Sequence, residues 1–483
     1  MKRKTTTALR LLVLIMLSIP TPLYSQKKAS IEPAAIVKAA PGLIVKQGYL
    51  VVPENRKKQN GKVIKIPFVF VRRPEQSATR NVFLYTTGGP GYSSIGNLDS
   101  IKADFGMLNL GAFILFDQRG TRRAKPALDC PEVNEAIKRS YIENLSRDSL
   151  VQLAVQQCRN RFVATGIDLS AYNTTESAAD INDLRIALQI DSLHLLGVSY
   201  SGGLMLTVAR NHPEGIQSLI LQSPLPVFTN YEEQALFNIN EALEQVFTNV
   251  DNDTAYEGKY KGLRKKFHDY FTGLENKKFT LYYKPKEKQD SVLVYYGKHE
   301  LLDMIVDRLN TRQVNTVPGV ITDIINGEHK KYLPAQLDQY FAGDLNYTAG
   351  MRYSIFCSEQ VNWSDELLEK QQAKILPWLK DFRYNNVTHA ICSCWNVKKE
   401  PALVKTPVYS NIPVLIAAGD IDPWCSLFYN RLIKRTMPNT QILIRRHAGH
   451  APGFVIDGTD YLKMFLANPY RQITGVSASV RVE

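Results

Sequence analysis

Six short and almost continuously apolar runs constrain the fold of this chain more than any other feature of its sequence. The runs lie at 82–86, 112–117, 192–197, 217–222, 413–418 and 440–445. Strands that are covered on both faces have this character, which is typical of a parallel sheet. Helical patterns such as 176–189 separate several of these runs. The order of the elements therefore predicts a mainly parallel sheet with helices on both faces.

Two further parts of the chain surround these runs. Residues 42–53 and 62–73 are β-rich and are separated by a polar stretch, which predicts an antiparallel hairpin. The long stretch between 222 and 413 lacks the strand–helix alternation, and its helical patterns, such as 231–247 and 361–382, predict an inserted, largely helical cap. The predicted organisation is a signal peptide at 1–25, a sheet core at 26–226 and 409–483, and a cap at 227–408.

The N-terminus has the pattern of an export signal. Four cationic residues among the first ten precede the apolar run 11–17, which is too short to span a bilayer. Ser25 is the expected last residue before cleavage, and no cysteine lies there to accept a lipid. An uncleaved N-terminal anchor is the alternative, and the polar residues that follow disfavour it. The sequence predicts export to the periplasm or the medium, without stable membrane insertion after cleavage.

The formal charge of +13 overstates that of the expected mature protein. Residues 1–25 carry four cationic side chains and no acidic ones, so their removal lowers the charge to +9. Much of the surplus lies in 255–300, where basic and aromatic residues do not interleave as in a nucleic-acid-binding motif. We interpret this segment as a solvated basic face and expect no nucleic-acid partner.

The chain contains six cysteines, and an even number in an exported chain favours disulfides. Cys130 and Cys158 flank one predicted helical segment and form the expected pair. The other four, at 357, 392, 394 and 425, permit three pairings that the sequence leaves open. Cys392 and Cys394 have no His or Cys cluster at zinc spacing, so we expect no metal and no cofactor.

The segment 193–203 predicts a strand that turns sharply into a helix. Gly197 and Ser199 fit the motif G-x-S-x-G, in which small neighbours let the backbone present a serine hydroxyl at the end of a strand. Its last position is Ser201 instead of glycine, a modest departure that keeps the side chain small. An ordinary strand-to-helix turn is the alternative for this motif alone, so other residues must decide.

A glycine-rich loop, 87–91, follows the first apolar run. In a serine hydrolase, such a loop supplies one backbone donor to the oxyanion, and the residue after the nucleophile supplies the other. Pro90 has no N–H. The predicted donors are therefore the amides of Gly89 and Tyr200, and a tight structural turn is the alternative.

A serine nucleophile needs a base that a third group orients. The loop after the fifth apolar run contains Asp420 and Asp422, and the loop after the sixth contains His447 and His450. Asp422 and His450 lie farther out in their loops, whereas Asp420 and His447 lie next to the strands and are interpreted as structural. The predicted catalytic triad is Ser199, Asp422 and His450.

Together these motifs resemble the tripeptidyl aminopeptidase and prolyl iminopeptidase branch of the α/β hydrolases. The matching segments cover most of the chain from 42 to 470 and lie at 88–91, 117–121, 197–200, 419–423, 449–450 and 465–469. The resemblance implies an α/β-hydrolase fold with an inserted cap. It also implies a serine exopeptidase, of tripeptidyl or prolyl type, whose partner is a peptide with a free N-terminus.

The same resemblance implies acidic cap residues for the substrate ammonium group, and a buried cation does need a carboxylate partner. Glu359 is the substrate-binding candidate, and a surface glutamate is the alternative. Asp117 and Arg119 are expected to brace the oxyanion turn. An esterase acting on small molecules is the alternative enzyme, because the cap decides the substrate. A catalytically silent binding protein is disfavoured, because all three triad positions are occupied.

Overall fold

The apolar runs form the central strands of one large sheet in the computed structural model, which describes residues 28–58, 61–96, 98–253, 258–286, 288–343, 347–383, 385–475 and 477–483. Within these ranges the strands are β1 Ser30–Pro33, β2 Lys38–Ala39, β3 Ile44–Pro53, β4 Val63–Arg72, β5 Val82–Thr86, β6 Ser100–Ile101, β7 Ala112–Phe116, β8 Leu193–Val198, β9 Ile216–Gln222, β10 Phe279–Tyr283, β11 Val292–Tyr296, β12 Val414–Gly419, β13 Thr440–Arg445, β14 Val455–Ile456, β15 Thr459–Asp460 and β16 Val480–Val482. The α-helices are α1 Pro131–Glu143, α2 Arg147–Ala164, α3 Thr174–Ala187, α4 Tyr200–Asn211, α5 Ala235–Asn252, α6 Leu263–Thr272, α7 Lys298–Val306, α8 Val317–Ile325, α9 Leu333–Phe341, α10 Ala349–Glu359, α11 Glu366–Ile375, α12 His389–Trp395, α13 Leu427–Thr436 and α14 Tyr461–Ala467. The predicted signal peptide, 1–25, lies outside the described residues.

The main sheet has the strand order β1-β3-β4-β7-β5-β8-β9-β12-β13-β16. The six central strands, from β7 to β13 in that order, pair in parallel. The outer pairs are antiparallel, and β3 with β4 forms the predicted hairpin. The mainly parallel sheet and the α/β-hydrolase fold class are thus confirmed.

Each central strand is buried on both faces, which explains the continuous apolar runs. In β5, Val82 and Leu84 pack into a cluster that includes residues of α3 and α4. Phe83, between them, packs into a second cluster that includes residues of α14. Successive side chains of a strand point to opposite faces, so both faces need apolar residues when helices cover both.

The chain between β9 and β12 forms the helices α5 to α12 and the hairpin β10–β11, in agreement with an inserted helical cap. Most of this part has its own apolar cluster. The helical pattern at 361–382 forms only α11, flanked by short 3₁₀ turns. Pro377 explains the early end, because a proline disfavours the helical conformation of the residue before it. No helix in the described part of the chain has both the length and the apolar character of a membrane span.

Two disulfides join these elements. Cys130–Cys158 is confirmed, but it links the start of α1 to the interior of α2, so the predicted single helical segment is wrong. Asn144, with φ 52°, ends α1 in the left-handed region just before α2 begins. Cys357–Cys392 joins α10 to α12, while Cys394 and Cys425 keep free thiols.

We expect peptide mapping under non-reducing conditions to recover these two disulfides. Their sequence separations of 28 and 35 residues correspond to about 3 to 4 kcal/mol each in the chain-entropy model. The double variant Cys130→Ala and Cys158→Ala should lose about that much free energy of unfolding in urea, whereas Cys394→Ala should change little. Alkylation of Cys130 or Cys158 in the unreduced protein would contradict this prediction.

Candidate active site

Ser199 occupies a sharp turn between β8 and α4. Its backbone has φ 57° and ψ −127°, a conformation that non-glycine residues adopt rarely and usually at functional positions. The Ser199 amide donates to the Gln222 carbonyl at 2.9 Å, and the Ser199 carbonyl accepts from the Leu225 amide at 3.0 Å. Both partners belong to β9 or the loop after it, so the neighbouring strand holds this turn in place.

The small residues around Ser199 are required by close packing. A Cβ at Gly197 would lie 2.7 Å from the Ser201 carbonyl oxygen, and a Cβ at Gly203 would overlap the Leu225 carbonyl oxygen. Ser201 is buried, and its hydroxyl accepts from the Val198 amide and donates to the Thr86 carbonyl, both at 2.8 Å. The departure from G-x-S-x-G is thus accommodated by hydrogen bonds to the turn itself.

His450 is hydrogen-bonded to Asp422, with Nδ1 and Oδ2 2.8 Å apart. Asp422 Oδ1 accepts from the amides of Trp424 at 3.0 Å and Cys425 at 2.9 Å. Burial alone would raise the pKa of Asp422, but the charge and hydrogen bond of His450, together with the Ser223 hydroxyl and the Cys425 amide, hold that pKa below its ordinary value. Asp422 is therefore a carboxylate at neutral pH.

Asp420 and His447 occupy different positions from Asp422 and His450. The Asp420 carboxylate accepts from the Ala448 amide at 3.1 Å, which braces the two loops against each other. Burial raises the pKa of Asp420, and the Ala448 and His447 amides oppose that rise. His447 is exposed. Of the candidates, the structure pairs Asp422 with His450.

Cys425 lies close to each of the three predicted triad residues. Its Sγ is 3.8 Å from Ser199 Oγ, and its sulfur, an Asp422 oxygen and a His450 nitrogen lie within 4.8 Å of one another. A metal ion could use this spacing, but the hydrogen bond between Asp422 and His450 already explains it. Burial and the charge of Asp422 raise the pKa of the Cys425 thiol well above its ordinary value, so the thiol stays protonated.

The glycine-rich loop lies against the start of α4. A Cβ at Gly88 would be 2.9 Å from the Ser199 Cβ and 3.4 Å from the Tyr200 nitrogen. Tyr200 is the first residue of α4, where backbone amides have no acceptor within the helix. The structure therefore places the Gly88–Gly89 backbone, Ser199 and the Tyr200 amide side by side.

Asp117 acts on this loop indirectly, through Ser94, whose hydroxyl oxygen accepts from the Thr87 amide at 2.9 Å. Its buried carboxylate accepts from the amides of Ser94 at 2.6 Å and Ile95 at 3.0 Å. The expectation for Arg119 is wrong. Its guanidinium is fully buried and donates to Asp180 of α3 and to the carbonyls of Glu54 and Ala171. These partners lie away from the glycine-rich loop, because the side chain points toward α3.

The cap contacts both loops of the site through backbone atoms. The His450 amide donates to the Leu309 carbonyl at 3.0 Å, and the Thr311 amide donates to the His450 carbonyl at 3.1 Å. On the other side, the Thr348 amide donates to the Gly91 carbonyl at 2.9 Å. The cap thus holds the histidine loop and the glycine-rich loop at the same time.

Glu359 is buried, with 1% of its surface exposed, so the surface alternative is wrong. Its two carboxylate oxygens accept from the Thr174 amide and the Thr174 hydroxyl, each at 2.5 Å, at the start of α3. The Thr174 hydroxyl is also 2.8 Å from the Tyr200 hydroxyl. Burial raises the pKa of Glu359 to about 7, although the bonds from Thr174 oppose the rise. The structure therefore ties Glu359 to α3 and, through Thr174, to Tyr200.

Glu232 is a second cap carboxylate near the site, which the motifs did not reveal. It is half-buried, and its Oε1 accepts from Asn385 Nδ2 at 2.6 Å. Burial raises the pKa of Glu232 to about 7, against the hydrogen bond from Asn385 and the charge of Arg352. Arg352 in turn donates to Asn385 and to the Gly89 carbonyl. In the sequence, only the two consecutive glutamates at 232 and 233 could have pointed to this carboxylate.

Comparison with known proteins identifies the fold family of the chain. A family model described as alpha/beta hydrolase fold matches residues 111–455, and the chain belongs to that family. The chain is 26% identical over 230 residues to a tripeptidyl aminopeptidase of Streptomyces lividans, a match that covers 44% of this chain and 39% of that protein. A tripeptidyl aminopeptidase of Streptomyces coelicolor is 26% identical over 228 residues, with the same coverage.

The predicted resemblance to the tripeptidyl aminopeptidase branch is thereby confirmed. The match spans 39% of the length of these curated relatives. Among solved structures, the chain is similar to a 2-hydroxy-6-oxo-6-phenylhexa-2,4-dienoate hydrolase from a Rhodococcus species, at 11% identity and a TM-score of 0.35. That similarity covers 89% of this chain and 100% of the other.

The packing around Ser199 predicts that Gly203→Ala destabilises the protein. The new methyl group would overlap a backbone oxygen, which no side-chain rotation can relieve, so we expect a loss of at least about 2 kcal/mol in urea unfolding. Gly106→Ala is the matched control, because a Cβ there meets no atom within 4 Å. Equal stability of the two variants would show that the turn is loosely packed.

Proposed function

We propose that this protein is a serine exopeptidase that cleaves peptides with a free N-terminus through an acyl-enzyme. The observation that carries the proposal is the hydrogen-bonded pair of Asp422 and His450, which lies close to the strained turn at Ser199. Cys425 Sγ is 3.8 Å from Ser199 Oγ and within 4.8 Å of an atom of each member of the pair. Because Nδ1 of His450 faces Asp422, its Nε2 remains to accept the Ser199 proton. Ser199 Oγ then attacks the substrate carbonyl, and His450 protonates the departing amine. Water subsequently hydrolyses the ester bond of the acyl-enzyme.

The oxyanion of the tetrahedral intermediate would bind to the Gly89 and Tyr200 amides. A Cβ at Gly88 would lie 2.9 Å from the Ser199 Cβ and 3.4 Å from the Tyr200 nitrogen. This closeness of the loop to both residues supports the role. Two preorganised N–H donors stabilise charge as it develops, and the loss of one typically costs about 10² to 10³ in kcat.

Recognition of a free N-terminus needs a buried carboxylate, and the cap offers Glu359 and Glu232. Both oxygens of Glu359 already accept from Thr174, and its side chain is almost fully enclosed. Glu232 keeps exposed surface and is connected to the glycine-rich loop by three hydrogen bonds through Asn385 and Arg352. These observations favour Glu232 as the ammonium ligand.

The proposal includes export of the protein. Two disulfides among the described residues suit an oxidising compartment, and the pattern of residues 1–25 suits a cleaved signal peptide. The tripeptidyl aminopeptidase description of the two Streptomyces relatives supports the exopeptidase activity, and their partial match leaves the length of the released peptide open.

The triad assignment predicts a clear order among three variants. Ser199→Ala should abolish hydrolysis of peptides and esters while circular dichroism and thermal unfolding stay unchanged. Asp422→Asn should lower kcat by about 10⁴, because the imidazole would adopt the wrong tautomer. Asp420→Asn is the control and should lose less than about tenfold, because an asparagine oxygen can still accept the Ala448 amide. Similar losses at 420 and 422 would contradict the assignment of the acid.

The ammonium site predicts that acetylation of the substrate N-terminus lowers kcat/KM by roughly a hundredfold or more, because it removes the cation that pairs with the Glu232 carboxylate. Glu232→Gln should lower kcat/KM for a free-amine peptide anilide by about ten- to a hundredfold. A small neutral ester should lose little, since glutamine still accepts from Asn385. Glu359→Gln should instead lower the unfolding temperature and affect both substrates alike.

If Glu359→Gln instead lowered kcat/KM for free-amine peptides but not for the ester, Glu359 would be assigned as the ammonium ligand. Equal cleavage of free and acetylated peptides by the parent enzyme would replace the exopeptidase proposal with the esterase alternative.

The ratio of kcat/KM for the peptide to that for the ester should depend on pH. A carboxylate whose pKa is about 7 binds the ammonium group only when ionised, so the ratio should fall as the pH drops through about 7. It should also fall above about pH 8, where the substrate amine loses its charge. The ratio cancels any effect of pH on the chemical step that the two substrates share. In Glu232→Gln, the fall on the acidic side should disappear.

A further inference from the structure

A short cap segment, residues 347–352, is docked along the glycine-rich loop. Tyr92 and Tyr347 form an isolated antiparallel β-bridge, and the centroids of their rings are 5.1 Å apart. The Thr348 amide donates to the Gly91 carbonyl at 2.9 Å, and Arg352 Nη1 donates to the Gly89 carbonyl at 2.8 Å. The predicted oxyanion loop is thus fixed along one side by the start of α10.

Gly89 is a residue of this loop whose backbone benefits from an external restraint. Its φ of +120° lies in the region that favours glycine, and a residue without a side chain has wide backbone freedom. The Arg352 guanidinium supplies a hydrogen bond to its carbonyl. Displacement of a reacting or stabilising group by about 1 Å can cost about a hundredfold in rate.

Arg352 is itself held in one orientation. Its guanidinium lies over the Phe356 ring, 4.4 Å from the centroid. Nη1 donates to Gly89, while Nη2 donates to Asn385 Oδ1 at 2.9 Å. The planar guanidinium fixes these two directions relative to each other, which a lysine ammonium cannot do.

Asn385 carries this connection to Glu232. It is buried, and its Nδ2 donates to Glu232 Oε1 at 2.6 Å. A single side chain therefore uses its oxygen for Arg352 and its nitrogen for Glu232. The carboxylate proposed to bind the substrate ammonium is linked to the loop proposed to bind the oxyanion.

We propose that Arg352 is a positioning residue for the oxyanion loop, and that Asn385 couples its placement to Glu232. The inference rests on the proposed function, because the oxyanion and ammonium roles belong to it. Its consequence is that Arg352 affects the turnover of every substrate, including esters without an amine, whereas Glu232 affects mainly the binding of free-amine substrates.

The test is steady-state kinetics with a small neutral ester, which needs the triad and the oxyanion donors but no ammonium site. Arg352→Gln should lower the ester kcat by about ten- to a hundredfold, with little change in KM. Arg352→Lys should fall between this variant and the parent, because an ammonium can reach only one of the two acceptors in the right geometry. Guanidinium ion at millimolar concentration should restore part of the kcat of Arg352→Ala.

Arg264→Gln is the matched control for the loss of a cap arginine. Arg264 forms ion pairs with Glu244 and Asp251 in a different part of the cap and should leave the ester kcat unchanged. A folded Arg352→Gln enzyme with the parental ester kcat would overturn the proposal, as would a loss that lies wholly in KM. If Arg352→Gln does not fold, Arg352→Lys provides the test, and a parental ester kcat in that variant would also overturn the proposal.

The ester assay also separates this inference from the exopeptidase proposal. If the parent enzyme cleaves free and acetylated peptides equally, the ammonium site fails, while a low ester kcat in Arg352→Gln still supports the positioning role. If the parent prefers free amines but Arg352→Gln keeps its ester kcat, the positioning role alone fails.

Discussion

Backbone hydrogen bonds from the cap hold the two loops of the candidate site, and the placement of both loops depends on them. The His450 loop is bound by Leu309 and Thr311, and the glycine-rich loop is bound by Thr348. The first contact is so close that a Cβ at Gly449 would overlap the Leu309 carbonyl. The glycine before His450 is therefore required by the cap, and cap and sheet domain form the site jointly.

Carboxylates near the site illustrate how partners decide the charge of a buried group. Asp422 accepts two amides, the Ser223 hydroxyl and His450, and these outweigh burial and hold its pKa below the ordinary value. Burial prevails at Glu232, whose pKa rises to about 7. The first group is a carboxylate at neutral pH, as the proposed orientation of an imidazole requires. The second titrates near neutral pH, which suits a group that becomes fully ionised when a cation binds beside it.

The sequence predicted the sheet well because buried parallel strands have a local signature. β5 and β13 begin and end at the predicted residues, and the hairpin pairs as expected. The cap was harder, because α11 ends before Pro377 although the apolar pattern continues. Contacts over long separations could not be predicted at all. Asn385 and Glu232 are 153 residues apart, and only folding shows that they share a hydrogen bond. The same reason explains why Arg119 was assigned to the wrong neighbour.

The preference for Ser199 over Cys425 as the proposed nucleophile rests on backbone position and not on acidity. A thiol is ordinarily the more acidic group, and Cys425 Sγ lies only 3.8 Å from Ser199 Oγ. Burial and the Asp422 carboxylate keep that thiol protonated, and Cys425 instead donates its amide to Asp422. Ser199 stands at the strained end of β8, where its hydroxyl is presented beside the Tyr200 amide. A serine in this setting needs only a base, and the same Asp422 that suppresses the thiolate orients the histidine that can act as one.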